Sequence, residues 1–162
     1  MNNAIVCLTR GYDYNPVGYN TLMKRNNSIF ETINNFNEEK FPLLIFHEGD
    51  ININYQNYIK SKNTKQHIEF INIKPVWNSR ISGYISMCRF YSYDIWNYCK
   101  DFDNILRIDE DCFIEKIDPN PFVRMNDFVF LKSASWKESH GETNDTLPKF
   151  IEDLTGVSKE EF

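Results

Sequence analysis

No apolar run in the sequence approaches the roughly 18 residues that a membrane span needs. The first residues, Met1, Asn2 and Asn3, lack the basic stretch that leads into a secretory core. The expectation is a chain with no membrane span of its own and a cytoplasmic location. Glycine is scarce, six residues in 162. None is arranged as a phosphate-cradling loop, which argues against a P-loop or a dinucleotide-binding fingerprint. No serine sits in the nucleophile elbow of an α/β-hydrolase. The four cysteines, Cys7, Cys88, Cys99 and Cys112, form neither a CxxC pair nor a zinc pattern. Each lies among or beside apolar residues, so buried thiols are expected rather than disulfides. Positive charge is also short, with 18 Lys and Arg against 23 Asp and Glu and a net charge of −5. No global field then draws a nucleic-acid backbone, and nucleic acid is not an expected partner. Alanine occurs only at positions 4 and 134, beside abundant Asn, Ile and Tyr. That bias fits an A/T-rich coding sequence, so the asparagines are not read as sites.

What is present is the material of a core. A hydrophobic fraction of 41% with 15% aromatics is globular, and a chain of this size can bury about 70% of its unfolded surface. One domain over residues 1–162 is expected. Residues 4–8 form an apolar run that reads as a central strand. Asn15-Pro16 reads as a helix start, and apolar residues at spacings of three and four from Tyr19 to Phe36 predict a helix over 16–37. Residues 43–46 are a second strand, 55–59 a short helical or irregular segment, and Ile68 to Ile73 a third strand stopped near Pro75. The strongest helical pattern runs over 81–99, with an apolar stripe through Tyr84, Ile85, Cys88, Tyr91, Ile95 and Trp96 that predicts a helix packed between other elements. Residues 104–108 are the fourth strand. Residues 128–131 read as a further strand, and Pro148 opens a short helix that Gly156 can cap. Short apolar runs alternating with helical patterns favour a mostly parallel sheet flanked by helices.

Negative charge concentrates just past the fourth strand. Residues 101–118 hold Asp101, Asp103, Asp109, Glu110, Asp111, Glu115 and Asp118 against Arg107 and Lys116. In an open α/β sheet, ligands bind beyond the carboxyl ends of the strands, which is where Thr9-Arg10 and residues 109–111 fall. Three adjacent acids after a buried strand are costly unless water or a cation stabilises them. In an extended turn, Asp109 and Asp111 would face the same way and Glu110 elsewhere. Two carboxylates on one side suit Mn²⁺ or Mg²⁺, whose other positions waters and substrate phosphates can fill. His47, Glu48 and Asp50 form a second polar group, read as ordering loops rather than as a metal centre. Trp77 and Trp136 carry no assigned role, and His140 is read as a surface histidine.

The sequence resembles the fungal-type α-1,2-mannosyltransferases, the glycolipid or glycoprotein 2-α-mannosyltransferases. The resemblance rests on Leu44-Ile45-Phe46-His47-Glu48-Gly49-Asp50, on Tyr84 with Met87-Cys88-Arg89-Phe90-Tyr91-Ser92, and on the stretch from Asp103 to Asp111. It spans about residues 3–135 and implies the nucleotide-sugar half of a GT-A fold with a shortened C-terminal part. It implies GDP-mannose as donor, Mn²⁺ (or Mg²⁺) as cofactor, and transfer of mannose with retention to a glycan or glycolipid acceptor. By the same resemblance, Asp111 is the principal metal ligand and Asp109 helps with metal or ribose. Thr9 and Arg10 border the nucleotide, Arg89 stabilises the diphosphate or braces the acidic motif, and Tyr84 lines the pocket. The acidic element is Asp-Glu-Asp where Glu-Pro-Asp is common in the family. No convincing match follows residue 135, the half that supplies acceptor contacts, a metal-binding histidine and the proposed nucleophile. No catalytic nucleophile is assigned, and a further domain or partner is expected to complete the site. Two other readings stand beside transfer: a nucleotide-sugar-binding domain without catalysis of its own, and a structural α/β module with a solvated acidic turn.

Overall fold

The computed structural model describes residues 2–38, 40–73, 83–117 and 121–122. All of them lie in one compact unit, Met1–Asn126. The single domain expected over 1–162 extends past these residues. The strand at 128–131, the helix from Pro148 with its Gly156 cap, Pro75, Trp77, Ile81, Trp136 and His140 lie outside the described residues.

The first strand, β1 (Asn3–Leu8), is apolar at both odd and even positions, and its side chains are buried on both faces. A strand of that kind belongs in the middle of a sheet covered on both sides. It pairs in parallel with β2 (Leu43–His47), Ile5 opposite Leu43, and on its other edge with β4 (Asn104–Arg107), Ile5 opposite Leu106. β2 pairs in parallel with β3 (Ile68–Asn72), giving the order β3-β2-β1-β4. The chain therefore steps outward from β1 to β3 and then returns to the far side of β1. The reversal places a topological switch point between β1 and β4, the position at which open α/β sheets form a ligand crevice.

Alternation along the strands sorts the core into two clusters. Ile5, Leu43, Ile45, Ile68 and Leu106 meet α1 (Gly18–Thr32) through Tyr19, Leu22 and Ile29, and α2 (Ile53–Lys62) through Ile59. Ala4, Val6, Leu44 and Phe46 meet α3 (Gly83–Ser92) and the turn after it through Phe90, Ile95 and Cys99. Phe46 packs edge-on against Phe90 with ring centroids 5.2 Å apart.

Several elements differ from the sequence expectation. α1 begins two residues later than predicted, because Asn15 and Pro16 accept hydrogen bonds from Gly18 and Tyr19 in a tight entry turn. It ends at Thr32, and a 3₁₀ turn covers 34–36. α2 is longer than the expected segment, since the Asn52 side chain caps it by accepting from the N–H groups of Asn54 and Tyr55. The helix predicted over 81–99 is described from Gly83 and stops at Ser92. Tyr93, at φ −134°, breaks it, and a 3₁₀ turn over 94–97 changes the phase. Trp96, past the break, is consequently exposed rather than packed between layers, and Ile85, also expected on the packed stripe, faces out from α3. All four cysteines are free thiols, but only Cys7 and Cys99 are buried. Cys88 and Cys112 are exposed, because one faces out from α3 and the other follows the acidic turn.

Phe46 joins β2 to α3 and has no room to be replaced by solvent. Phe46→Ala is expected to lower stability by about 3–5 kcal/mol, read as a shift in the urea midpoint with an unchanged slope.

Candidate functional site

The carboxyl end of β1 runs into Thr9, whose N–H still bonds the Phe46 carbonyl at 3.0 Å. Thr9 is buried, and its hydroxyl donates a short hydrogen bond to Glu110 Oε2. The Tyr12 hydroxyl donates to Glu110 Oε1 at 3.2 Å, and Arg10 Nε lies 3.5 Å from the same oxygen. Burial pushes the Tyr12 hydroxyl above its ordinary pKa, which keeps it the donor in that bond. The Arg10 guanidinium stands 5.8 Å from the Tyr12 ring centre and is mostly exposed. Glu110 thus ties the end of β4 to the end of β1 across the switch point.

The acidic stretch is not extended. The Cys112 N–H returns to the Asp109 carbonyl at 3.2 Å and closes a turn, so the two-residue alternation expected for Asp109 and Asp111 does not apply. The three acids go three ways. Asp109 Oδ1 is held by Arg107 through Nε and a terminal nitrogen, both at 3.0 Å. Arg107 in turn lies 3.8 Å over the ring of Tyr91, whose hydroxyl accepts the Leu8 N–H at 2.8 Å. Glu110 faces Thr9 and Tyr12. Asp111 is exposed and lines an open cleft of about 300 Å³ with Arg10, Tyr12, Gly18, Thr21, Leu22 and Glu110.

The loop after β1 is fastened to the loop after β2. The Gly11 N–H donates to Asp50 Oδ2 at 2.5 Å, and Asp50 Oδ1 accepts from the Glu48 N–H at 3.2 Å. Gly49 adopts φ +85°, the left-handed region that favours glycine. Tyr19 extends the support, accepting the Tyr12 N–H at 2.8 Å and donating to Asp13 at 2.5 Å. Asp13 also accepts from the Asn52 side chain at 2.5 Å. His47 is nearly buried, and its Nδ1 accepts the Gly49 N–H at 3.1 Å, 3.8 Å from Asp50. Burial lowers its pKa. The group His47, Glu48 and Asp50 therefore orders loops, as the sequence suggested.

Of the expected site residues, Thr9, Arg10 and Asp111 come together at the β1–β4 end. Asp109 sits beside them, directed to Arg107. Arg89 is on α3 in an ion pair with Asp94, Nε to Oδ2 3.4 Å, and no contact with the acidic turn joins it to the cleft among the described residues. Tyr84 begins the first turn of α3, and its side chain lies outside the described residues. Sequence reasoning missed Tyr12, Arg107 and Tyr91. Tyr91 belongs to the hexapeptide singled out by resemblance, and Tyr12 stands three residues past Thr9 in an aromatic loop, the signals that could have drawn attention to them. Among the described residues no group of three or more His, Cys, Asp or Glu side chains is arranged to hold a metal. No described helix is long and apolar enough to cross a membrane.

The four-stranded parallel sheet flanked by helices, with a polar cleft at its switch point, matches an α/β GT-A-like fold by its likeness to solved structures. Two solved structures share it. One is the mannosyltransferase Ktr4p from S. cerevisiae, with a TM-score of 0.53 and 17% identity over 68% of this chain and 32% of that one. The other is core-mannan synthase A (CmsA/Ktr4) from Aspergillus fumigatus in its Mn/GDP form, with a TM-score of 0.51 and 14% identity over 72% of this chain and 38% of that one. The chain thus matches about a third of the length of each. No protein-family model and no curated protein sequence matches it.

Two predictions follow from the loop geometry. In Gly11→Ala the new Cβ would lie 1.9 Å from the Asp50 carbonyl oxygen. The two loops must separate, at a cost of about 1–3 kcal/mol, measurable by chemical denaturation. His47 binds a proton less readily folded than unfolded, so the unfolded chain takes up more protons below the ordinary histidine pKa of about 6.5. Its contribution to stability is complete above that pH and declines as pH falls toward the lowered folded value. Melting curves between pH 7.5 and 5.5 should show a decline that His47→Gln flattens.

Proposed function

We propose that this chain is the nucleotide-sugar-binding part of a glycosyltransferase. In this reading it takes GDP-mannose with a divalent metal and passes mannose to a glycan or glycolipid acceptor with retention. The observation that carries the reading is the cleft at the β1–β4 switch point, where Arg10, Tyr12, Glu110 and Asp111 converge in a fold shared with two mannosyltransferases. The whole enzyme's activity extends to segments of those proteins that this chain does not match.

The donor set fits Mn²⁺ or Mg²⁺ in part. Carboxylate oxygens are the right class of ligand, and such ions accept phosphates and waters in their remaining positions. Asp111 is the proposed principal ligand. Asp109 is the proposed second, through Oδ2, because Arg107 engages Oδ1. When bound, the metal supplies Lewis-acid stabilisation of the departing diphosphate. The chain's own residues supply position and charge. Arg10 presents an exposed guanidinium to the diphosphate, matched to phosphate by geometry. Thr9 and Tyr12, by holding Glu110, fix the wall against which the nucleotide lies. Arg89 and Tyr84, on the helix carrying the hexapeptide, are proposed to border the donor. Transfer breaks the bond between the sugar C1 and the diphosphate oxygen and forms one from C1 to the acceptor oxygen, whose proton leaves; no nucleophile is assigned.

A donor-binding domain completed by another segment or chain is the second reading. It is favoured by the chain matching only about a third of the length of each of those mannosyltransferases. Calorimetry with GDP in the presence and absence of Mn²⁺ tests both. Binding that requires the metal, and that weakens by tenfold or more in Asp111→Asn, is expected. Equal binding by that variant would remove Asp111 from the site, and no metal-coupled binding by the parent chain would leave only a structural module. A panel of GDP-, UDP- and CDP-sugars, scored for hydrolysis and transfer, then separates binding from turnover.

A further inference from the structure

Arg25 on α1 is fully buried, and among the described residues its guanidinium has no charged or oxygen partner, the Cys7 thiol being the polar group beside it. A buried charge without a partner is strongly unfavourable unless some other charge compensates it. Its surroundings locate that compensation. One turn earlier on α1, Thr21 and Leu22 line the cleft with Glu110 and Asp111. One turn later, Ser28 Oγ accepts the Ile114 N–H at 3.3 Å and donates to the Arg25 carbonyl at 2.8 Å, which fastens the chain beyond the acidic turn onto the helix. Ile114 and Ile117 pack against the same core cluster and help close over α1. On the sheet side, the charge of Arg25 acts on the Cys7 thiol, and so do the charges of Glu110 and Asp109. Burial dominates at Cys7 and pushes its thiol up, so the thiol stays neutral and is no counterion for the guanidinium.

We propose that Arg25 is a positioning residue, the internal countercharge of the acidic turn at 109–111, which holds that turn at the mouth of the cleft and limits how strongly it attracts a cation. The guanidinium is itself shut off from water, and a charge in that position is screened less than one at the surface. Arg10 and Arg107 are partly exposed, and solvent screens them more. The part of the inference that concerns cation strength rests on the metal reading of the turn; the countercharge role does not.

A melting cycle on the full chain tests the countercharge. Arg25→Met should lower the melting temperature of the parent by roughly 4–8 °C. In a background carrying Asp109→Asn, Glu110→Gln and Asp111→Asn, the same change should raise it, because only the unpartnered charge is then lost. Shifts of equal sign and size in both backgrounds would overturn the proposal. If Arg25→Met does not fold in the parent, it must fold in the neutralised background, and failure in both overturns the proposal as well. Titration with Mn²⁺ alone reads the second part. Arg25→Met should bind roughly three- to tenfold tighter than the parent, with Arg25→Lys near the parent value, and equal or weaker binding by the Met variant counts against the role. A parent chain that takes up no Mn²⁺ overturns the metal reading and the cation-strength part with it, while the melting cycle decides the countercharge by itself.

Discussion

At Glu110 the ends of two neighbouring parallel strands are joined by one side chain. Its carboxylate accepts from the Thr9 and Tyr12 hydroxyls, which follow β1, while its backbone continues β4. Arg10 stands against the same group. Hydrogen bonds to an ionised acceptor are stronger than neutral ones, so this junction sets the spacing of the cleft walls. The loop after β2 reinforces it from the other side, through the bond between the Gly11 N–H and Asp50. Cleft, acidic turn and loop order all follow from closing the switch point in this way.

Three consecutive acids would repel one another if they shared an environment. The fold separates them instead. Asp109 is drawn toward α3 by Arg107, which rests on the Tyr91 ring. Glu110 turns inward to the hydroxyls, and Asp111 remains in the cleft. Glu110 alone joins the strand ends, Asp111 lines the cleft, and Asp109 pairs with Arg107 through Oδ1, with Arg25 buried on α1.

Shared architecture with two mannosyltransferases at 17% and 14% identity locates a crevice; it does not specify the chemistry done there. Many activities use one fold, and the activity resides in the side chains grafted on it. In this chain those side chains are an arginine, a tyrosine and carboxylates at strand ends.

The sequence by itself determined the strands and the side of the sheet that carries the site. Continuous apolar runs at β1 and β2 can be buried only in a two-sided parallel layer, and the acids placed directly after β4 had to emerge at its carboxyl end. Local pattern also located α1 and the loop-ordering role of Asp50. It failed where contacts across the chain decide. The periodicity over 81–99 gave no sign of the break at Tyr93, and alternation misjudged the acidic turn, because a hydrogen bond from Cys112 to Asp109 curls the backbone. Only the tertiary structure brought Thr9 and Tyr12 to Glu110, Leu8 to the Tyr91 hydroxyl, and Arg107 onto the Tyr91 ring, partners far apart in the chain. Only packing could bury Arg25, since a helix position records a periodicity but not what the rest of the chain folds over it.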